Sequence, residues 1–486
     1  MGEQVPMGTL NNFVDAVWTT DESIVNRHKP DPDTGASRQT GPVTAAAWYK
    51  PDDISRNYEL KRITTEEARP ADGAKAKRTD FYEYYWAHQI SGMTFNHIME
   101  WLRYLLFRPL TRVPKDVRFT WFALWLIAIF AFCLTVYLSL PKTGPAITPT
   151  IGSAILGIIA GFAATIAGGF VTGKLVSHFG DVIRYVSPKP ENIAARHAIR
   201  KGGVELLEGI LRKQHRGRPR YDRVVVVAHS LGTIVAYDIL THAFANMHRE
   251  YNSSKPHVIP ETERAKLEAM TRDGNFTIDE YQIQQAKVRT ELDEQGFAWR
   301  VSDFVTLGSP LTHAEFLLAK DMEDVRRAQD RRILPTCPPE MEHDLKTKSQ
   351  RFSFIGSPRD KTSPFNRFIK QENMTRTEAA KKAETPAYLH HGALFALTRW
   401  TNLFSPSFLT LWGDQVSGPL APVFGKGIRD IEVLSNLDDS GERQTGKWPL
   451  FLAHVKYWSF GKASRTGRAP RHIRELRKAM KLNGEA

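Results

Sequence analysis

The sequence predicts an α/β protein built on a doubly wound, mostly parallel sheet. Residues 223–227 (RVVVV) are apolar without alternation, the pattern of a strand covered on both faces. Residues 301–307 (VSDFVTL) repeat that character and run into Gly308-Ser309-Pro310, a strand-to-turn signal. Helical stretches, such as 191–213 and 231–247, lie between the strand candidates, and strands alternating with helices argue for a parallel sheet.

Further strand candidates are 80–86 (DFYEYYW), rich in aromatics, and the short runs 400–404 (WTNLF) and 428–434 (IRDIEVL). Two polar insertions interrupt the pattern. Residues 249–295 are charge-rich and read as mostly helical, while 312–387 mix Lys/Glu runs with prolines and read as a lid, a cap or a peripheral patch.

Two uncharged runs, 119–140 and 151–173, are each long enough to cross a ~30 Å hydrocarbon core as a helix. The second carries Gly157-xxx-Gly161 and Gly169-xxx-Gly173, spacings that allow close helix packing, including pairing between copies of the chain. Arg103, Arg108, Arg112, Lys115 and Arg118 precede the first run, and Lys174 and Arg184 follow the second. The connecting loop holds only Lys142. The positive-inside rule then predicts a two-span membrane protein with both soluble parts on the cytoplasmic side. A pair of buried helices in a soluble core is the alternative.

The expected organisation is therefore an N-terminal part of the α/β domain (1–100) and a juxtamembrane amphipathic segment (101–118). The two spans follow, then the main α/β domain (180–461) and a basic tail (462–486). That tail, rich in arginine, reads either as a contact to an anionic leaflet or as a solvated helix. The net charge of +13 points to an anionic partner. With the basic residues crowded around the apolar runs, the expectation is a bilayer and not nucleic acid. Two cysteines, Cys133 and Cys337, indicate neither a disulfide framework nor a metal site.

The chemistry is expected at VVVVAHSLGT, residues 224–233. A strand running through a sharp turn into a helix can expose a serine, and Ser230 stands at that turn. A serine nucleophile also needs a histidine to take its proton and an acid to orient the histidine. In such an elbow the residues two before and two after the serine are small, and Ala228 and Gly232 are. The N–H of Leu231, at the head of the following helix, would be one oxyanion donor. With its valine run and following helix, VVVVAHSLG resembles the nucleophile elbow of the α/β-hydrolase superfamily, and His-Ser-Leu-Gly resembles its lipase and esterase branch.

The resemblance implies the chain order Ser, then Asp or Glu, then His. Asp414, in a Gly-Asp loop after WTNLF, matches the acid, and its loop looks like that of many lipase-like members. Asp430 lies within a strand candidate, and Asp438 and Asp439 in a polar turn, so they are weaker rivals. His454 follows the last strand candidate and matches the base. His472 sits in the basic tail, His229 is expected to pack beside the elbow, and the pair His390-His391 lacks a third ligand and reads as structural. The opening Met1-Gly2-Glu3-Gln4 looks like the end of a His-Gly-x-Gly-x-Gln loop whose strand and first residues are missing. That would put Gly2 or Glu3 near the oxyanion site.

The resemblance thus implies a membrane-anchored serine esterase, cleaving carboxylic esters, with lipid esters as one class of them, through Ser230, His454 and Asp414, with no metal or organic cofactor. The alternative is a catalytically silent member of the same fold, serving as a membrane-bound binding or signalling module.

Overall fold

The computed structural model describes residues 6–21, 47–55, 59–65, 78–90, 190–254, 262–343, 350–355, 387–407, 412–438, 442–444, 448–450, 452–460 and 469–482, with isolated positions besides. Two sheets organise them. The smaller is antiparallel, with β1 (Ala47–Pro51), β2 (Lys61–Thr65) and β3 (Asp80–Phe81) in that order. The larger has four strands, all parallel: β4 (Val224–His229), β5 (Val301–Leu307), β6 (Arg399–Phe404) and β7 (Arg429–Glu432). The expected parallel sheet is there, with its strands side by side in chain order.

Alternate residues of these strands enter two separate cores, because a strand's side chains point to opposite faces with period two. Val224, Val226, Phe304, Trp400 and Ile428 belong to the first core, and Val225, Val227, Val305, Leu403 and Val433 to the second. The unalternating apolar runs follow from this: both faces are covered.

The first core is closed by the helix that precedes β4 and by the segments that connect the sheet's strands. α2 (Pro190–Arg212) packs on α3 (Leu231–Ser254), and α4 (Thr262–Asp273) and α5 (Ile278–Glu294) follow before β5. α5 starts at a capping box. The Thr277 hydroxyl accepts from Glu280 N–H at 3.3 Å, and the Glu280 carboxylate accepts from Thr277 N–H at 2.8 Å. The second core is closed by the two ends of the described chain. α1 (Gly8–Val14) continues through a π-helical turn at Asp15–Thr19, and α6 (Arg471–Met480) packs against it. The guanidinium of Arg477 donates to the Ala16 carbonyl at 2.8 and 2.9 Å. All connections between consecutive strands thus contribute to one core, and the terminal helices cover the opposite face.

Three expectations change. The candidate strand 80–86 is regular only over Asp80–Phe81. The expected basic tail is part of the fold from residue 471, since His472, Ile473, Leu476 and Met480 are buried. The candidate spans 119–140 and 151–173 fall outside the described residues but for isolated positions. Among the described residues no helix is long and apolar enough to cross a membrane, and the expectation of a two-span, cytoplasm-facing membrane protein is withdrawn on that finding.

Candidate active site

Ser230, Asp414 and His454 gather at the carboxyl ends of the parallel strands, where open α/β sheets bind their ligands. Ser230 directly follows β4 in left-handed conformation, φ 54°, which is costly for a residue with a Cβ. Its place is held from both sides. Its N–H donates to the Leu307 carbonyl at the end of β5 (3.0 Å), and its carbonyl accepts from the N–H (2.9 Å) and hydroxyl (2.7 Å) of Thr233. α3 starts at Leu231, so the Leu231 N–H belongs to a first turn without intrahelical acceptors.

Asp414 comes from the loop after β6. Gly413, φ 77°, makes that loop possible, for a Cβ there would overlap the Pro406 carbonyl. Gly413 also joins the loop to the histidine segment: its N–H donates to Leu450 O (3.0 Å) and its carbonyl accepts from Ala453 N–H (3.2 Å). His454 stands in a single 3₁₀ turn after Leu452, itself left-handed at φ 51°.

These three side chains meet. His454 Nε2 is 2.8 Å from Ser230 Oγ, and His454 Nδ1 is 2.9 Å from both carboxylate oxygens of Asp414. Ser230, Asp414 and His454 are 0 %, 1 % and 7 % exposed, so the three side chains are buried together. Burial by itself would raise the Asp414 carboxyl. The imidazole charge, the hydrogen bonds from His454 and Tyr457 and the Val416 N–H outweigh it and hold the carboxyl well below the usual carboxylate range.

Two partners were not foreseen from sequence. Tyr457 donates its hydroxyl to Asp414 Oδ2 at 2.8 Å and also meets Ser417 Oγ at 3.0 Å. Burial first, and then the neighbouring carboxylate, push this phenol well above its ordinary value, so it stays a donor. Gly308, φ 58°, lies under both: a Cβ there would sit 2.7 Å from a Tyr457 ring carbon and 3.1 Å from Asp414 Oδ2. His229 stands beside this relay and not in it. Its Nε2 hydrogen-bonds the His454 carbonyl at 2.7 Å, and its ring lies 5.0 Å from that of His454 and edge-on to Trp458. It braces the histidine turn.

The other candidates have structural partners. Asp430 accepts from the N–H groups of Leu420 and Ala421 and from Asn402 at 2.7–2.9 Å, capping a loop. His472 binds the Ser459 carbonyl at 2.8 Å. His390 uses both ring nitrogens, on the Gly392 N–H and the Glu340 carbonyl. No metal-ligating cluster is present among the described residues. Ala228 lies in β4 beside the turn, but Gly232 is not pressed against it. A Cβ on Gly232 would meet nothing within 4 Å, and the residue faces a cleft that His229 and His454 also line. Gly2, Glu3 and Asp439 lie outside the described residues. Comparison of the chain with protein-family models, with curated proteins and with solved structures returned no match.

Proposed function

We propose that the protein is a serine hydrolase of carboxylic esters with an α/β-hydrolase fold. The observation that carries this reading is the continuous relay from Ser230 Oγ through His454 to Asp414, at 2.8 and 2.9 Å. In the proposed reaction the Ser230 hydroxyl gives its proton to His454 Nε2 as Oγ attacks the ester carbonyl. The imidazolium then protonates the leaving alkoxide, leaving an acyl ester on Ser230. Water, deprotonated by the same nitrogen, releases the acid and restores the serine. Asp414 keeps the Nδ1–H tautomer, which leaves Nε2 free to accept, and stabilises the imidazolium while it lasts.

The Leu231 N–H supports the developing oxyanion in this proposal, as a donor at the positive end of α3. The left-handed Ser230 backbone also fits, because strain held by surrounding bonds is typical of a pre-set reactive group. The acyl portion enters from the cleft bordered by Gly232 and His454. A lipid ester has no support left once the membrane spans are withdrawn, so the substrate class proposed is the ester bond itself.

Hydrolysis of a short-chain p-nitrophenyl ester tests this. Ser230→Ala or His454→Ala is expected to lower kcat by about 10⁴-fold or more, and the double variant no further, since the residues act as a unit. Equal hydrolysis by wild type and Ser230→Ala would remove the proposal.

A further inference from the structure

The four-stranded sheet ends on a strand that does not read as an edge. β4 (VVVVAH) carries no acidic, lysine or arginine residue, and its valines enter both cores. Edge strands ordinarily carry charge or proline to block further pairing. All six β4 residues nevertheless remain half-buried, while every residue of β5 beside it is buried. Among the described residues no strand pairs with the outer edge of β4. A cleft accounts for the exposure. It follows the strand from Arg223 to His229 and reaches Gly232 and His454. One wall comes from the first helical layer (Leu207, Val235, Ile239) and another from the second (Leu10, Phe13, Met480), while the segment from Arg78 to Tyr84 lines it too, with Asp80, Tyr82 and Glu83 as polar groups. The gap therefore lies in the plane of the sheet, between its two covering layers.

The backbone defines what fits there. The N–H groups of Val224 and Ser230 both donate toward β5, to Arg300 O at 2.9 Å and Leu307 O at 3.0 Å. With a strand's two-residue period, Val225 and Val227 turn their N–H and C=O groups the opposite way, into the cleft. Main-chain groups along an open strand edge are best matched by another main chain, which brings donors and acceptors at the same repeat. At the Arg223 end Arg216, Arg218 and Lys481 also line the cleft, beside Asp222 and an Arg220 already paired with Asp53 and Asp80; basic groups outnumber acidic ones there, so the complement is acidic.

We infer that this cleft is a strand-addition site: it takes an extended peptide segment, apolar along β4 and acidic beside Arg223, as a further strand of the sheet. The bound segment closes the cleft next to Gly232 and His454. The inference stands on β4 and its walls and does not require Ser230 to react.

The test is fluorescence anisotropy with the full chain and two labelled peptides of alternating Val and Thr, one with paired Glu at its N-terminus and one at its C-terminus. One of the two is expected to bind saturably. Binding should weaken about tenfold when alternate peptide amides are N-methylated, and similarly when the Glu pair becomes Lys. Val227→Pro removes a cleft-facing N–H and leaves the bonds to β5 intact, so it should weaken binding about fivefold to tenfold. The N-methylated peptide gives the same reading with the protein unchanged, should that variant not fold. Absence of saturable binding, or equal affinity for the N-methylated peptide, overturns the inference. So does a dimer in sedimentation that the peptide does not dissociate, because the edge is then taken by a second copy.

Discussion

Asp414→Asn changes one atom at the centre of the candidate site, and the structure dictates which one. Both carboxylate oxygens lie 2.9 Å from His454 Nδ1, and each has a second donor: Val416 N–H on Oδ1 (2.9 Å) and Tyr457 OH on Oδ2 (2.8 Å). An amide nitrogen at the Oδ1 position would face the fixed Val416 N–H, donor against donor. At the Oδ2 position it would face a hydroxyl that can turn, donate to Ser417 Oγ and accept from the amide. The amide therefore settles with nitrogen at Oδ2 and can donate to His454 Nδ1. That stabilises the tautomer with its proton on Nε2, which cannot accept from Ser230. The variant should fold like the wild type and lose about 10⁴-fold in kcat, roughly 5.5 kcal/mol of barrier. Steady-state ester hydrolysis beside a urea unfolding curve separates the two effects. A folded Asn variant within about tenfold of wild-type kcat would refute the assignment of Asp414 as the group that sets the tautomer.

Other substitutions probe the supports. Gly308→Ala should reduce ester hydrolysis at least about tenfold and cost about 1–3 kcal/mol of stability, because φ 58° and the approach to Tyr457 and Asp414 leave no room for a methyl group. Gly217→Ala, at φ 76° in open space, should cost about 1 kcal/mol and spare activity; equal effects at the two sites would contradict this. Asp303 binds Arg399 through two bonds (2.8 and 3.0 Å) and Arg223 (2.6 Å), so Asp303→Ala strands a buried Arg399 and should cost about 3–5 kcal/mol in urea unfolding. A loss below 1 kcal/mol would show that water reaches the site. Burial lowers His248 to about 4 and His390 to about 3 in the folded state. Unfolded histidines take up protons near pH 6.5, so the unfolded state binds more protons below that pH and stability falls toward acid. The slope should reach up to about 1.4 kcal/mol per pH unit for each histidine between pH 6.5 and about 4. Urea midpoints at pH 7 and 5 measure this, and His390→Gln should flatten the dependence.

The legibility of this protein in its sequence follows the range of the interactions involved. β4 could be read because an unbroken valine run marks a strand covered on both faces, β5 to β7 as short runs mixing apolar with polar residues, and the serine turn because a strand feeds directly into a helix. Asp414 and His454 came from order along the chain, and the structure brings both to Ser230. Tyr457 could not be read, since a tyrosine three residues beyond His454 has no local pattern that tells a hydroxyl aimed at Asp414 from a core ring. Gly308 was visible as a turn signal, but its contact with Tyr457 joins segments far apart in the chain. The smallness of Gly232 was legible and its reason was not: it borders a cleft. Composition misjudged the C-terminal segment, where a high arginine content suggested a tail. Arg477 instead donates to the Ala16 carbonyl, and Ile473 and Leu476 fill the second core.

The proposal as a whole rests on the reactivity of one hydroxyl. Treating the full chain with a fluorophosphonate and mapping the adduct by peptide mass spectrometry tests it most directly. The account predicts one phosphonylated residue, Ser230, with labelling abolished in Ser230→Ala and slowed by orders of magnitude in His454→Ala. A folded protein that stays unlabelled at Ser230, or labels equally well in both variants, would contradict it.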